Sequence, residues 1–176
     1  MNTDIKGKRP PEAFMTANTF EIGIGRVIVS RFKPDDTVEF GIFLVDTYCL
    51  GIKDAGFVKE SLLIYQTEIL AQMGGEDGLE KIEPACGRKL LEQAAAYAAR
   101  LGFAPHRDYK KACRVFGGIS AAACSSDFVF GLNGKPFFIP GPYDTPQRID
   151  TIVSVLDSRC GPGNYDFDLV TPMDLD

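Results

Sequence analysis

The residues best equipped for chemistry stand together in Leu44–Phe57, LVDTYCLGIKDAGF. An apolar run ends there in Asp46, Tyr48, Cys49, Lys53 and Asp54, and a strand end that delivers polar groups out of a core is where sites are usually built. Asp46 and Tyr48 lie two apart, so on a strand they point the same way, while Lys53 and Asp54 follow Gly51 in a turn. Two readings compete. Asp46 and Asp54 could act as metal ligands or as an acid–base pair, with Asp127 or Asp144 completing the set. Alternatively, Asp46 caps a turn and Lys53 pairs with a carboxylate.

His106 is the only histidine. It follows Pro105 in Phe103–Tyr109 (FAPHRDY), at the start of a short helix. With one histidine, Ser-His-Asp and Cys-His catalysis require His106 itself to be the base beside Cys49 or Cys124. Arg107 opposes the helix dipole at this start, which favours a binding role for it. Gly141–Thr145 (GPYDT) places Tyr143 and Asp144 just before another helix. Catalytic candidates are therefore Asp46, Asp54 and His106, and contact candidates are Tyr48, Lys53, Arg107, Tyr143 and Asp144. The metal candidates Asp46, Asp54 and Asp127 lack any recognised ligand spacing. No phosphate loop, no H-E-x-x-H and no G-x-S-x-G frame occurs, and Gly23-x-Gly25 precedes a strand instead of following one. No cofactor is implied.

These groups need a scaffold, and 176 residues suit one domain. The chain is 45% hydrophobic and 24% charged, with no apolar run long enough for a membrane span. Its net charge of −5 weighs against general binding to a phosphate backbone, though a local basic patch is compatible with it. The five cysteines include no C-x-x-C pair, so a disulfide framework and a zinc cluster both read poorly. Mostly buried thiols in a reducing cytoplasm fit better. The basic N-terminal residues are not followed by an apolar segment, so no secretory signal is read.

Residues 1–18 read as a flexible arm before a single domain spanning 19–176. Gly25–Phe32 and Val38–Thr47 are strands around the turn Lys33–Thr37. Helical spacing over Glu60–Met73 is stopped by Gly74–Gly75, and Glu76–Glu83 is a charged loop. Pro84 opens a long helix to Leu101, with Gly102 at C′ and alanines that allow close packing on a sheet. Asp108–Phe116 is a short helix. Asn133–Gly134 joins Phe128–Leu132 to Lys135–Ile139 as a hairpin. Thr145 caps a helix beginning at Pro146 and running to Arg159, and Asn164–Val170 alternates as a half-exposed strand. The result is an α+β fold: a largely antiparallel or mixed sheet of about five strands with about four helices, chiefly in a single layer.

Val45–Phe57, Ala94–Ala112, Gly134–Ile149 and Asn164–Val170, taken together, resemble an uncharacterised bacterial protein family. That resemblance covers about two-thirds of the chain and implies a bacterial cytoplasmic protein without assigning an activity. Gly51–Asp54 and Leu101–Tyr109 also resemble the G-L-x-D-like turn and the Y-G-F-x-x-H-x-x-Y segment of ribonuclease HII. That family opens with an Asp-Glu pair on its first strand, whereas Gly25–Phe32 contains no acid. Two expectations follow. The first is a non-catalytic accessory or interaction domain whose partner is another protein. The second is a metal-dependent hydrolase acting on nucleic acid, with a ribonuclease H-like fold. Nucleic acid is disfavoured as a partner by the net charge, and a membrane is not expected.

Overall fold

A computed structural model describes residues 9–168. In chain order the elements are β1 (Glu12–Thr16), α1 (Thr19–Ile22), β2 (Ile24–Phe32), β3 (Thr37–Asp46) and β4 (Gly51–Ser61). A helical segment follows, made of α2 (Leu62–Ile64), a π-helical turn (Tyr65–Ile69) and α3 (Leu70–Gly74). Then come β5 (Leu79–Ile82), α4 (Pro84–Arg100), α5 (Tyr109–Ala112), β6 (Phe137–Phe138), α6 (Pro146–Cys160) and β7 (Asp166–Phe167). The main sheet is antiparallel throughout, in the order β4-β3-β2-β1-β5. The expected α+β fold, with five strands and helices packed against them, is what forms.

Strand alternation explains the two faces. Val27, Val29, Phe43 and Val45 point to one side, where Leu90, Leu91 and Ala94 of α4 and Ala112 of α5 cover them. Ile28, Phe32, Val38 and Phe40 point to the other and receive Tyr65. The layer foreseen for the helices thus holds α4 and α5, while the segment 62–74 caps part of the opposite face. Tyr65 is fully buried there, and its hydroxyl shares a 2.6 Å hydrogen bond with Ser30. α4 sits close because small residues meet it. A Cβ at Gly87 would stand 3.3 Å from Ala13, and one at Gly51 would stand 2.7 Å from the Ala94 carbonyl. Gly51 also has φ +68, the left-handed region that glycine enters without a steric penalty.

Three strands arise where none was read. Residues 12–16, assigned to a flexible arm, form β1 in the middle of the sheet, pairing with β2 and β5. Residues 1–8 of that arm lie outside the described residues. The charged loop contains β5, an edge strand whose Glu80 and Lys81 face solvent as edge positions permit. Gly51–Asp54, read as a turn, opens β4, and the helix therefore begins at Leu62 instead of Glu60.

The local capping and turn signals are realised. Pro84 begins α4 and Gly102 follows its end with φ +95. The Thr145 hydroxyl caps α6 by accepting from the Arg148 amide at 3.2 Å. Asn133 (φ 52) and Gly134 (φ 79) make the expected tight turn, closed by the bridge Leu132–Lys135. The flanking hairpin does not extend beyond that bridge. Phe137 donates instead to the Tyr48 carbonyl, and β6 pairs in parallel with β7. β7 covers two residues of the strand expected over 164–170, of which 169 and 170 lie outside the described residues. A second core gathers Cys49, Leu50, Leu101, Phe138, Ile152 and Leu156, which seats α6 against the end of α4.

The cysteines depart from the expectation of free thiols. Cys86 and Cys124 form a disulfide with Cα atoms 4.9 Å apart, tying the first turn of α4 to a loop 38 residues on. Cys49, Cys113 and Cys160 remain free. Among the described residues, no helix is long and apolar enough to cross a membrane.

Candidate functional site

The cassette that opened the sequence reading splits into two parts. Its first part, 46–50, is a buried turn. Asp46 is 6% exposed, and its Oδ1 accepts from the backbone amides of Tyr48 and Cys49, each at 2.9 Å. Burial pushes this carboxyl above its usual range, and the amides that bind it act in the opposite direction. Asp46 therefore serves as a turn cap. Tyr48, expected at a contact surface, is buried as well: its hydroxyl donates to the Glu21 carbonyl at 2.6 Å and its ring lies over Gly23. Burial also drives the Cys49 thiol upward, the reverse of what a nucleophilic cysteine needs.

The second part faces outward, and a β-bulge makes it do so. Leu44 pairs with Asp54 and Val45 with Ile52, which leaves Lys53 as the extra residue of β4. A bulged residue steps out of the strand's alternation and can aim its side chain sideways. Lys53 accordingly lines a cavity of about 440 Å³ between the start of β4, the loop after α4 and the first turns of α6. Leu50, Ile52, Phe103 and Ile152 form its apolar part, and Lys53, His106 and Arg148 its polar part.

His106 is held there from both sides. Its amide donates to the Ile52 carbonyl at 2.9 Å, and its Nδ1 accepts from the Asp108 amide at 3.2 Å. With Nδ1 an acceptor, the proton of the neutral ring belongs on Nε2, which lies 3.6 Å from Asp54 Oδ1. Asp144 is placed by the same logic. Its two oxygens accept from the Gly141 amide at 2.7 Å and from Arg148 Nε at 2.8 Å, so it fixes the arginine while only 9% of its side chain is exposed. A Cβ at Gly141 would stand 3.4 Å from Asp144 Oδ2 and 3.5 Å from Lys53 Nζ, which puts the lysine beside this pair. Lys53 itself has no ion-pair partner among the described residues.

The sequence candidates thus divide. Lys53 and His106 line one pocket and Asp144 joins it through Arg148, whereas Asp54 approaches His106 from a separate cavity beside Arg26, and Asp46 is buried as a cap. Asp127 is remote from them and exposed, 3.6 Å from Lys89. Arg107 and Tyr143 are exposed, at 89% and 95%. Among the described residues, no group of three or more His, Cys, Asp or Glu side chains is arranged to hold a metal ion. Arg148, Phe103 and Thr151 were missed. Only Arg148 left a trace, as the basic partner four residues after Asp144 across a helix start. Chemically, the arrangement offers an unpaired ammonium, a guanidinium with its outer face free and an imidazole, set against an apolar wall. That suits an acidic group carried on an apolar body. No family model, curated protein or solved structure matches the chain.

Proposed function

We propose that the protein is a non-catalytic binding domain that recognises another protein by taking one of its acidic groups into the Lys53 pocket. The observation that carries this reading is the bulge at Lys53, which spends a ladder position of β4 to aim an unpaired cation into a cavity already holding His106 and Arg148. Asp144 supports it by holding Arg148 in place, so that the guanidinium is pre-organised for a carboxylate. The exposed side chains of Arg107 and Tyr143 supply flanking contacts of the kind that interfaces favour. The resemblance to a bacterial family assigns no activity and implies only a bacterial cytoplasmic location. The Cys86–Cys124 bridge bears on that location, because such bonds persist mainly in oxidising compartments.

Capture from an extract of the source organism tests the reading. The wild type, Lys53→Glu and a control at an exposed lysine of β4, Lys59→Glu, are immobilised in parallel. Proteins retained by the wild type and the control are expected to be lost from Lys53→Glu, with thermal stability unchanged in all three. Identical retention by all three would overturn the proposal.

A further inference from the structure

The Lys53 pocket does not end at Arg148. Along α6 it runs into a second, open cavity of about 490 Å³, lined by Asp150, Ser154, Ser158 and Arg159. Gly102, Thr151 and Val155 border both, so the two form one groove between α6 and the loop after α4. Gly102 is what keeps it open. Any Cβ there would stand 2.9 Å from Val155 and 3.2 Å from Arg159 Nε, and its φ of +95 suits glycine alone.

Charge is spaced along this groove. Arg148 and Arg159 lie eleven positions apart on α6, close to three full turns, so they share a helix face about 16 Å apart. Arg159, like Lys53, has no ion-pair partner among the described residues. Asp150 stands only two positions after Arg148, on nearly the opposite side of the helix from both arginines, so it borders the rim of the second cavity and leaves the arginine face clear. A long, open groove with cations at both ends fits an extended chain better than a compact small molecule.

Resting on the reading of the Lys53 pocket as a binding site, we propose that its occupant is an extended peptide segment with two acidic side chains. One carboxylate sits between Lys53 and Arg148, and the second sits at Arg159. An extended peptide advances about 3.3 Å per residue and returns a side chain to the same face at every second position. Acids four or six residues apart therefore match the two cations.

Fluorescence polarisation with labelled peptides tests this. The set holds one peptide with a single aspartate and others with two aspartates adjacent, four apart or six apart, all otherwise neutral. The four- or six-residue spacing is expected to bind about fivefold tighter than the single or adjacent forms, the gain from one added exposed charge pair. Arg159→Ala is expected to remove that gain and leave single-acid binding intact, whereas Lys53→Ala weakens every peptide. Equal binding by all peptides, with Lys53→Ala still weakening them, would overturn the groove and leave the pocket standing. Absence of saturable binding by any peptide would overturn both.

Discussion

Asp46 gives the sharpest test of the division between structural and exposed carboxylates. Its Oδ1 satisfies two amides, those of Tyr48 and Cys49, in a turn where both residues are buried. Asp46→Ala removes the acceptor and leaves both amides without a partner. At about 1–2 kcal/mol for each stranded amide, the loss is about 2–4 kcal/mol. For a chain of this length that is a drop of about 6–12 °C in Tm. Asp46→Asn keeps an acceptor oxygen in the same place and removes a charge that burial disfavours, so its stability at pH 7 should equal or exceed that of the wild type. The pH dependence follows from the direction of the shift. The folded carboxyl titrates above its ordinary value of 3.8, so the folded state holds the proton more tightly than the unfolded chain. The contribution of Asp46 is then fully present below that ordinary value and is lost as pH rises through the raised folded value. Any advantage of Asp46→Asn over the wild type should accordingly shrink as pH falls from 7 toward 4. Urea denaturation of the three proteins at several pH values measures all of this. An asparagine variant as unstable as the alanine variant, or an advantage that grows on acidification, would refute the reasoning.

Three further outcomes are expected. Thiol titration of the denatured, unreduced protein should count three free sulfhydryls, and Cys86→Ser with Cys124→Ser should lower stability by up to about 4 kcal/mol, since the bridge closes a 38-residue separation. A count of five in protein taken from its own cells would mean that the bridge does not form there. Gly51→Ala should cost about 2–4 kcal/mol by denaturant melt, combining a left-handed φ with a contact against the Ala94 carbonyl. Adding Mg²⁺ or Mn²⁺ should leave Tm unchanged by thermal shift; a rise abolished by Asp46→Asn would favour the metal-dependent hydrolase over the binding domain.

Much of the site was legible as residues but not as a place. Lys53, Asp54, His106 and Asp144 stood out by type and by their positions near element ends, and all but Asp54 meet at the pocket, Asp54 reaching His106 from a separate cavity. Tyr48 stood out equally and is buried, because sequence does not reveal that its hydroxyl finds the carbonyls of Phe20 and Glu21. Arg148 stayed hidden within an ordinary amphipathic helix until Asp144 was seen to grip it.

What the sequence determined by itself is local. Caps and turns follow from one residue's φ preference or one side-chain oxygen, so Pro84, Gly102, Asn133–Gly134 and Thr145–Pro146 could be placed without any fold. The alternation of β2 and β3 and the alanine-rich face of α4 likewise stated which surfaces would be buried. Tertiary structure decided everything that depends on a partner distant in the chain. β1 is a strand because β2 and β5 supply its hydrogen bonds, and its five residues carry no propensity strong enough to announce it. β4 begins at Gly51 because β3 lies alongside and α4 presses on a glycine. The bulge that turns Lys53 toward His106 and Arg148 exists only in the register between two strands, a relation that neither strand's own residues contain.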